Sequence, residues 1–128
     1  MAGKPKVKYN EKEVAQWSVN DMLAYLSDQH LARFNVDYQP FGTWASERGQ
    51  LGNWIGTKRK AGKYGAEFTK RFIDVCLAEY RPTRDYPGIN FGFMVAYMKR
   101  NIQTVQLEMM RAESAAQSQA GEVDEDWL

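Results

Sequence analysis

The fold of this chain is organised around residues 56–80, GTKRKAGKYGAEFTKRFIDVCLAEY. The stretch opens with a basic run and then changes to apolar residues at helical spacing, from about residue 66 to residue 80. One face of such a helix carries Phe68, Phe72, Ile73, Cys76 and Tyr80. The pattern predicts an amphipathic helix that packs on a core and follows a cationic segment, with Cys76 as a small buried side chain.

Positive charge is concentrated between Arg48 and Arg71. This segment contains seven basic residues and a single acid, Glu67, whereas the net charge of the whole chain is +1. A local excess of this kind attracts polyanions, while acidic residues elsewhere keep the total near neutral. The segregation therefore predicts a surface that contacts phosphates.

Length and composition limit the class of protein. The chain has 128 residues, of which 44% are hydrophobic and 13% aromatic, and this suits one folded domain with a modest core. It contains no apolar run long enough for a membrane span, and residues 1–13 lack the apolar core of a signal peptide. The single cysteine excludes an internal disulfide and fits a reducing cytoplasm. We expect no membrane partner.

Two more helices are predicted before residue 60. Ser18 followed by Asp21 is typical of a helix start, and the apolar pattern then continues to about residue 33. The buried stripe of this helix is predicted to consist of Val19, Met22, Leu23, Leu26, His30 and Phe34. Residues 35–46 read as a loop whose Phe41 and Trp44 fold back onto the core. A short helix is expected over about 47–60, although its glycines weaken it.

The last helix has the most regular pattern. Its apolar residues are spaced alternately four and three apart, which is a heptad seam. The seam consists of Phe91, Val95, Met98, Ile102, Val105 and Met109. The first half can pack on the preceding helices, whereas Val105 and Met109 extend past them. We therefore expect these two residues to contact another protein or a second copy of the chain, as in a homodimer.

Together the segments predict an all-α fold, a compact bundle of about four helices with a long C-terminal helix and a flexible acidic tail. Residues 1–13 are expected to form a flexible basic arm, and residues 14–112 the helical domain. Residues 113–128 begin as an Ala/Ser/Gln-rich linker and end as the acidic tail.

Residue patterns that carry enzyme chemistry are missing from the sequence. The glycines near residue 50 are not followed by the Gly-Lys-Ser/Thr of a phosphate loop. His30 is the only histidine and lies at a helix edge, so we interpret it as structural and not as a metal ligand. We accordingly expect a non-enzymatic protein without catalytic residues, metal or cofactor.

The basic segment and its aromatic residues supply the candidate nucleic-acid contacts. Lysine and arginine neutralise phosphates, and exposed Trp or Tyr rings stack on unpaired bases. The candidates are Lys58, Arg59, Lys60, Lys63, Lys70, Arg71, Trp54 and Tyr64. Two other interpretations stay open: a solubilising surface with Trp54 in the core, or a nuclear import signal in a eukaryotic protein.

The C-terminus combines acidic residues with a terminal apolar pair. The candidate partner-binding residues here are Asp124, Glu125, Asp126, Trp127 and Leu128. Such a tail can fold back on the basic segment and block it, or it can enter an apolar pocket on a partner protein. We favour the partner, because charge masking alone does not require the Trp-Leu pair.

The chain contains four short motifs, WSVNDMxxYL (17–26), KYGxE (63–67), FID (72–74) and YPGIxF (86–91). Over about residues 17–100 they resemble small helical bacteriophage proteins that are placed among replication-accessory or helicase-loader-like factors. Separately, the DEDWL end is similar to the C-termini by which phage late-transcription coactivators grip a sliding clamp and single-strand-binding proteins recruit partners. It departs from both in having one aromatic residue, one aliphatic residue and no proline.

Charge and resemblance together lead to one functional hypothesis. We expect a non-catalytic adaptor of phage DNA replication that acts in the cytoplasm of the bacterial host. Its expected partners are nucleic acid, with DNA as the polymer, and a replisome or RNA polymerase protein. The alternative is a transcription regulator that binds RNA polymerase or another host protein without touching DNA. A more distant class is a self-assembling protein that uses the 91–109 seam.

Overall fold

The computed structural model describes residues 8–57 and 59–125, with backbone alone for residues 118–125. The α-helices are α1 (Val19–Phe34), α2 (Trp44–Ile55), α3 (Ala66–Glu79), α4 (Phe91–Tyr97) and α5 (Arg100–Glu125). Two short 3-10 helices, Tyr9–Glu11 and Val14–Gln16, precede them. The described ranges contain no β-strand, and the all-α prediction is confirmed. None of their helices is both long and apolar enough to cross a membrane.

The start of α1 is fixed by the predicted capping residues. The Ser18 hydroxyl accepts a hydrogen bond from the Asp21 backbone N–H at 3.3 Å, and the Asp21 carboxylate accepts one from the Ser18 N–H at 2.9 Å. This reciprocal pair satisfies two backbone donors that the first helical turn leaves free. The helix ends at Asn35, whose φ of 61° is left-handed.

Part of the predicted arm is packed against α1. The Trp17 indole N–H donates to the Tyr9 carbonyl oxygen at 2.8 Å, and the two rings meet edge to face at 5.3 Å. Lys12 pairs with Asp21 at 3.0 Å. Residues 9–12 therefore belong to the folded domain, while residues 1–7 lie outside the described part. The sequence pattern missed this contact because isolated aromatic residues show no periodicity.

The core lies where α2, α3 and α4 meet, around Trp54. The centre of the Trp54 ring lies 4.8 Å from the centre of the Phe72 ring and 5.1 Å from the centre of the Phe91 ring. Phe72 and Phe91 are fully buried. Phe41 and Trp44, which we predicted to fold back onto the core, are instead 60% and 41% exposed. The aromatic side chain that this loop contributes to the core is that of Tyr38, which is only 5% exposed.

The predicted long last helix is divided in two, and this corrects the heptad interpretation. α4 ends at Tyr97, and Met98 has non-helical angles (φ −123°, ψ 33°) before α5 begins at Arg100. No proline or glycine causes the break. The change of direction lets α4 contact α2 and α3 while α5 lies along α3. Tertiary packing therefore overrides a local pattern that favours one helix.

α5 runs antiparallel to α3 and buries Val105 between the two helices. The Asn101 amide reaches the Cys76 sulfur at 3.4 Å, and further along α5 the Glu108 carboxylate pairs with Arg71 at 2.7 Å. Val105, which lies between these contacts, is completely buried. The prediction that Val105 binds another chain is therefore wrong, because α3 itself occupies that face.

The N-terminus of α4 is held by side chains from three separate segments. The Tyr38 hydroxyl accepts from the Phe91 N–H at 2.8 Å, the Glu47 carboxylate from the Gly92 N–H at 3.0 Å, and the Asn90 side chain from the Phe93 N–H at 2.8 Å. Tyr38 also donates to Glu47, which is only 3% exposed. This network satisfies a buried carboxylate and the free donors of α4 together.

The remaining buried reactive groups have structural roles, as predicted. In His30, Nδ1 lies 3.0 Å from the Val36 carbonyl oxygen, and Nε2 accepts from the Ile89 N–H at 3.1 Å. Cys76 is completely buried, and burial raises the pKa of its thiol to about 11. A thiol of that kind is a poor nucleophile at neutral pH.

Beyond α3 the last helix continues through the segment that we predicted to be a linker. The backbone is helical up to Glu125, so residues 113–125 extend α5. Alanine and glutamine favour helix, which explains how this composition continues the helix. The acidic residues Asp124 and Glu125 lie in its last turn, and their side chains are outside the described part. Residues 126–128 lie wholly outside it.

Replacing Val105 with aspartate is expected to prevent folding, because an unpaired carboxylate between α3 and α5 costs as much as a small domain's whole stability. Leu107→Asp on the same helix, where the side chain is 46% exposed, should change the free energy of unfolding by no more than about 0.5 kcal/mol. Urea titration followed by circular dichroism measures both. A folded Val105→Asp protein that had only lost self-association would contradict this packing.

Stability is expected to fall at alkaline pH, and Tyr38 should contribute. Burial, and then the hydrogen bond to Glu47, raise the pKa of Tyr38 well above its usual value. The folded state therefore keeps a proton that the unfolded chain loses above about pH 10, and each such tyrosine lowers the free energy of unfolding by about 1.4 kcal/mol per pH unit there.

Tyr38→Phe is the variant that tests this expectation. It should lower the free energy of unfolding by about 1–3 kcal/mol at neutral pH, because the Phe91 N–H and Glu47 lose a partner. It should also reduce the slope with which the free energy of unfolding falls above about pH 10. The control is Tyr97→Phe, which also removes a tyrosine hydroxyl, but from a ring that is 70% exposed. Urea titrations across the alkaline range give both quantities, and an unchanged slope in Tyr38→Phe would contradict the assignment.

Candidate nucleic-acid interface

The described part of the basic run lies in a short hairpin between α2 and α3, which we call the basic hairpin (residues 56–57 and 59–63). Thr57 and Lys60 exchange backbone hydrogen bonds of 2.8 and 3.3 Å, and Gly56 and Ala61 form an antiparallel bridge. Inside this turn the Arg59 N–H donates to the Thr57 hydroxyl at 3.3 Å. Backbone pairing therefore determines the shape of the segment that carries the charges.

Two glycines permit the close backbone approach that closes the hairpin. A Cβ atom at Gly62 would lie 2.2 Å from the Ile55 carbonyl carbon, and one at Gly56 would lie 2.6 Å from the Gly62 nitrogen. Gly56 also has a φ of +99°, which favours glycine. Gly56 and Gly62 thus shape the hairpin, and α2 ends before it, at Ile55, so the helix that we expected over about 47–60 stops earlier.

The hairpin's exit is tied to the core through the backbone of α2. The Trp54 carbonyl oxygen accepts hydrogen bonds from the Tyr64 N–H at 2.9 Å and the Gly65 N–H at 2.7 Å. The Lys63 N–H donates to the Asn53 carbonyl oxygen at 2.9 Å. Side chains on this hairpin are therefore carried on a well-anchored backbone, which lowers the entropy cost of ordering them around a ligand.

Three of the predicted cations are available to a ligand. Arg59, Lys60 and Lys63 are exposed, and none of them forms an ion pair within the described ranges. The Lys63 ammonium lies 5.3 Å from the centre of the Tyr64 ring. Lys58 belongs to the same run but lies outside the described residues.

Lys70 and Arg71, which we predicted to extend the patch, are engaged in ion pairs. Lys70 pairs with Asp74 at 2.8 Å, and its ammonium lies 4.9 Å from the centre of the Tyr25 ring. Arg71 binds Glu108 through two nitrogens, at 2.7 and 3.0 Å. The hydrogen bond from Arg71 lowers the pKa of the Glu108 carboxyl. Their charges are thus largely neutralised, because acids one helical turn away or on a neighbouring helix lie within reach.

Neither predicted aromatic residue offers an open face for base stacking. Trp54 is 6% exposed and surrounded by other rings, so its candidacy as a stacking residue is corrected. Tyr64 is half-buried and stacks on Phe68 at 4.5 Å with an interplanar angle of 13°. The core takes both rings because burying large aromatic surface stabilises the fold more than exposure would.

Sequence reasoning overlooked a groove beside the hairpin. It has a volume of about 590 Å³ and lies between the start of α1, one face of α2 and the hairpin. Its cationic residues are Arg48 and Lys60, both exposed, and its amide side chains are those of Asn20 and Asn53. A detectable signal was the spacing of four residues from Arg48 to Gly52 and on to Gly56, which places a cation and glycines on one helical face.

Of the predicted partner-binding residues with described side chains, Met109 is the exposed one. It is 36% exposed, and its neighbours Leu107 and Met110 are 46% and 63% exposed. The side chains of Asp124 and Glu125, at the acidic end of α5, are outside the described part. The exposed apolar side chains of this part of α5 are thus Leu107, Met109 and Met110, and Val105 is not among them.

The described residues contain no group of three or more His, Cys, Asp or Glu side chains that could hold a metal ion. Comparisons of the chain with protein-family models, curated proteins and solved structures find no match. Among the described residues, Arg48, Arg59, Lys60 and Lys63 are exposed cations that form no ion pair.

Proposed function

We propose that this chain is a non-catalytic nucleic-acid-binding adaptor of bacteriophage DNA replication. The observation that carries the proposal is the contrast between two sets of cations. Arg48, Arg59, Lys60 and Lys63 are exposed and without an ion pair in the described ranges, whereas the cations of α3 are neutralised. Unpaired cations on a rigid backbone suit phosphate binding, because they release counterions without first breaking an internal pair.

The phage context is supported by the sequence motifs alone. WSVNDMxxYL forms the capped start of α1, and KYGxE joins the hairpin to α3. Both therefore lie in segments that shape the cationic surface. The bacterial cytoplasm is the compartment in which such an adaptor would act.

Removing two hairpin cations should weaken DNA binding. In Arg59→Ala/Lys60→Ala we expect lower affinity for every DNA sequence, and the slope of log K against log salt should decrease by about 1 for each cation removed. Lys70→Ala/Arg71→Ala removes the same charge from paired positions, and it should retain most of the affinity. Fluorescence anisotropy across a salt series measures both. The proposal is wrong if the unmodified protein fails to bind DNA even at low salt.

A second candidate function has its own supporting observation. Leu107 and Met110 are both exposed and lie three residues apart on α5, so they share one helical face, and exposed apolar surface is common at protein interfaces. This apolar pair supports the adaptor's contact with a replisome protein. It equally supports the alternative of a regulator that binds RNA polymerase or another host protein without DNA.

Deleting residues 122–128 separates the two roles that we considered for the tail. Recruitment through Trp127 and Leu128 predicts unchanged DNA affinity and loss of a partner that the full chain captures. Autoinhibition predicts tighter DNA binding, since the acids would no longer compete with phosphates. The measurements are anisotropy with DNA and affinity capture from infected cells. If the deletion alters neither, the tail has no role in binding.

A further inference from the structure

The groove beside the basic hairpin has the shape and the side chains to bind a larger part of a ligand than its phosphate group. Three segments line it: Ser18 to Asn20 at the start of α1, one face of α2, and the hairpin residues Gly56, Thr57 and Lys60. Its volume of about 590 Å³ falls in the range of about 300–1,000 Å³ that is usual for small-ligand sites. A surface that bound only phosphates would need cations but no such depression.

The floor of the groove is made of small apolar groups. Gly52 contributes bare backbone, and a Cβ atom placed there would lie 3.6 Å from the Thr57 methyl carbon and 3.9 Å from a Val19 methyl carbon. At Gly49 such an atom would meet nothing within 4 Å. The groove therefore exists because two positions of α2 lack side chains, and the methyl groups beside it present an apolar surface.

The rim of the groove is polar and positive. Arg48 and Lys60 supply two cations, and the described residues that line the groove include no acid. Asn20 and Asn53 add amide side chains, and both residues are exposed. Amides pair with the donor and acceptor edges of nucleic-acid bases, while cations pair with phosphates.

We propose that this groove binds one nucleotide of a single strand, with its base on the Gly52 floor and its phosphate between Arg48 and Lys60. A base within a duplex is stacked and paired, so it cannot enter a depression in a protein surface, whereas the base of a single strand can. The inference rests on the proposed function, because the cations that attract the strand are the same. It adds that the groove distinguishes single strands from duplexes.

The test fills the groove without changing any charge. In Gly52→Leu the added Cβ meets its neighbours at ordinary contact distance, and leucine favours helix more than glycine does. The matched control is Gly42→Leu, a glycine outside the groove whose Cβ would meet nothing within 4 Å. Three ligands are compared by anisotropy: a single-stranded oligonucleotide, its duplex, and an abasic strand with the same phosphates.

We expect Gly52→Leu to lower affinity for the single strand by about tenfold or more, since a base contact is lost. Affinity for the duplex and the abasic strand should stay the same, and Gly42→Leu should resemble the unmodified protein in all three. Asn20→Ala is a second variant that removes a base-pairing amide at an exposed position. It should show the same selective loss, which keeps the test valid if Gly52→Leu does not fold.

The outcomes separate this inference from the proposed function. If both groove variants bind the single strand as the unmodified protein does, while Arg59→Ala/Lys60→Ala does not, the groove inference is wrong and the proposed function stands. If the unmodified protein binds none of the three ligands, the proposed function fails as well. A free mononucleotide that binds as tightly as the strand would also overturn the inference, because the groove would then be a small-molecule site.

Discussion

The contacts of Trp54 connect the core of this protein to its cationic surface. Its ring lies within 5.1 Å of the Phe72 and Phe91 rings, so it joins α3 and α4 to α2. Its carbonyl oxygen accepts the backbone N–H groups of Tyr64 and Gly65, and this closes the basic hairpin. One residue therefore stabilises the bundle and positions the cations. The consequence is that Trp54 positions the basic hairpin from within the core, through its backbone and not through its ring.

Ion pairing decides which of the many basic side chains are available to a ligand. The cations of α3 face acids one turn along the helix or across the interface with α5, and these exposed pairs contribute little to stability. Arg59 and Lys60 form no ion pair with any acid within the described ranges. Charge that looks continuous in the sequence is thus divided into a neutralised part and an available part.

Much of the fold could be predicted because its signals are local. The Ser18 and Asp21 capping residues and the apolar stripe of α3 depend only on neighbours within a turn or two, and both predictions are confirmed. The heptad interpretation of residues 91–109 failed for the opposite reason. Its regular pattern continues across the break at Met98, but the part before the break packs in α4 against α2 and α3, whereas the part after it packs in α5 along α3. Periodicity reports that a residue is buried and not which neighbour buries it.

The sequence by itself determined the fold class, the cap of α1, the structural roles of His30 and Cys76, and the location of the positive charge, because all of these follow from composition and short-range pattern. The tertiary structure alone decided that Trp54 is covered, that Val105 lies on α3, and that a groove opens beside the hairpin. These features depend on which segments meet in space. Such long-range contacts are selected by packing of the whole chain, and no local stretch encodes them.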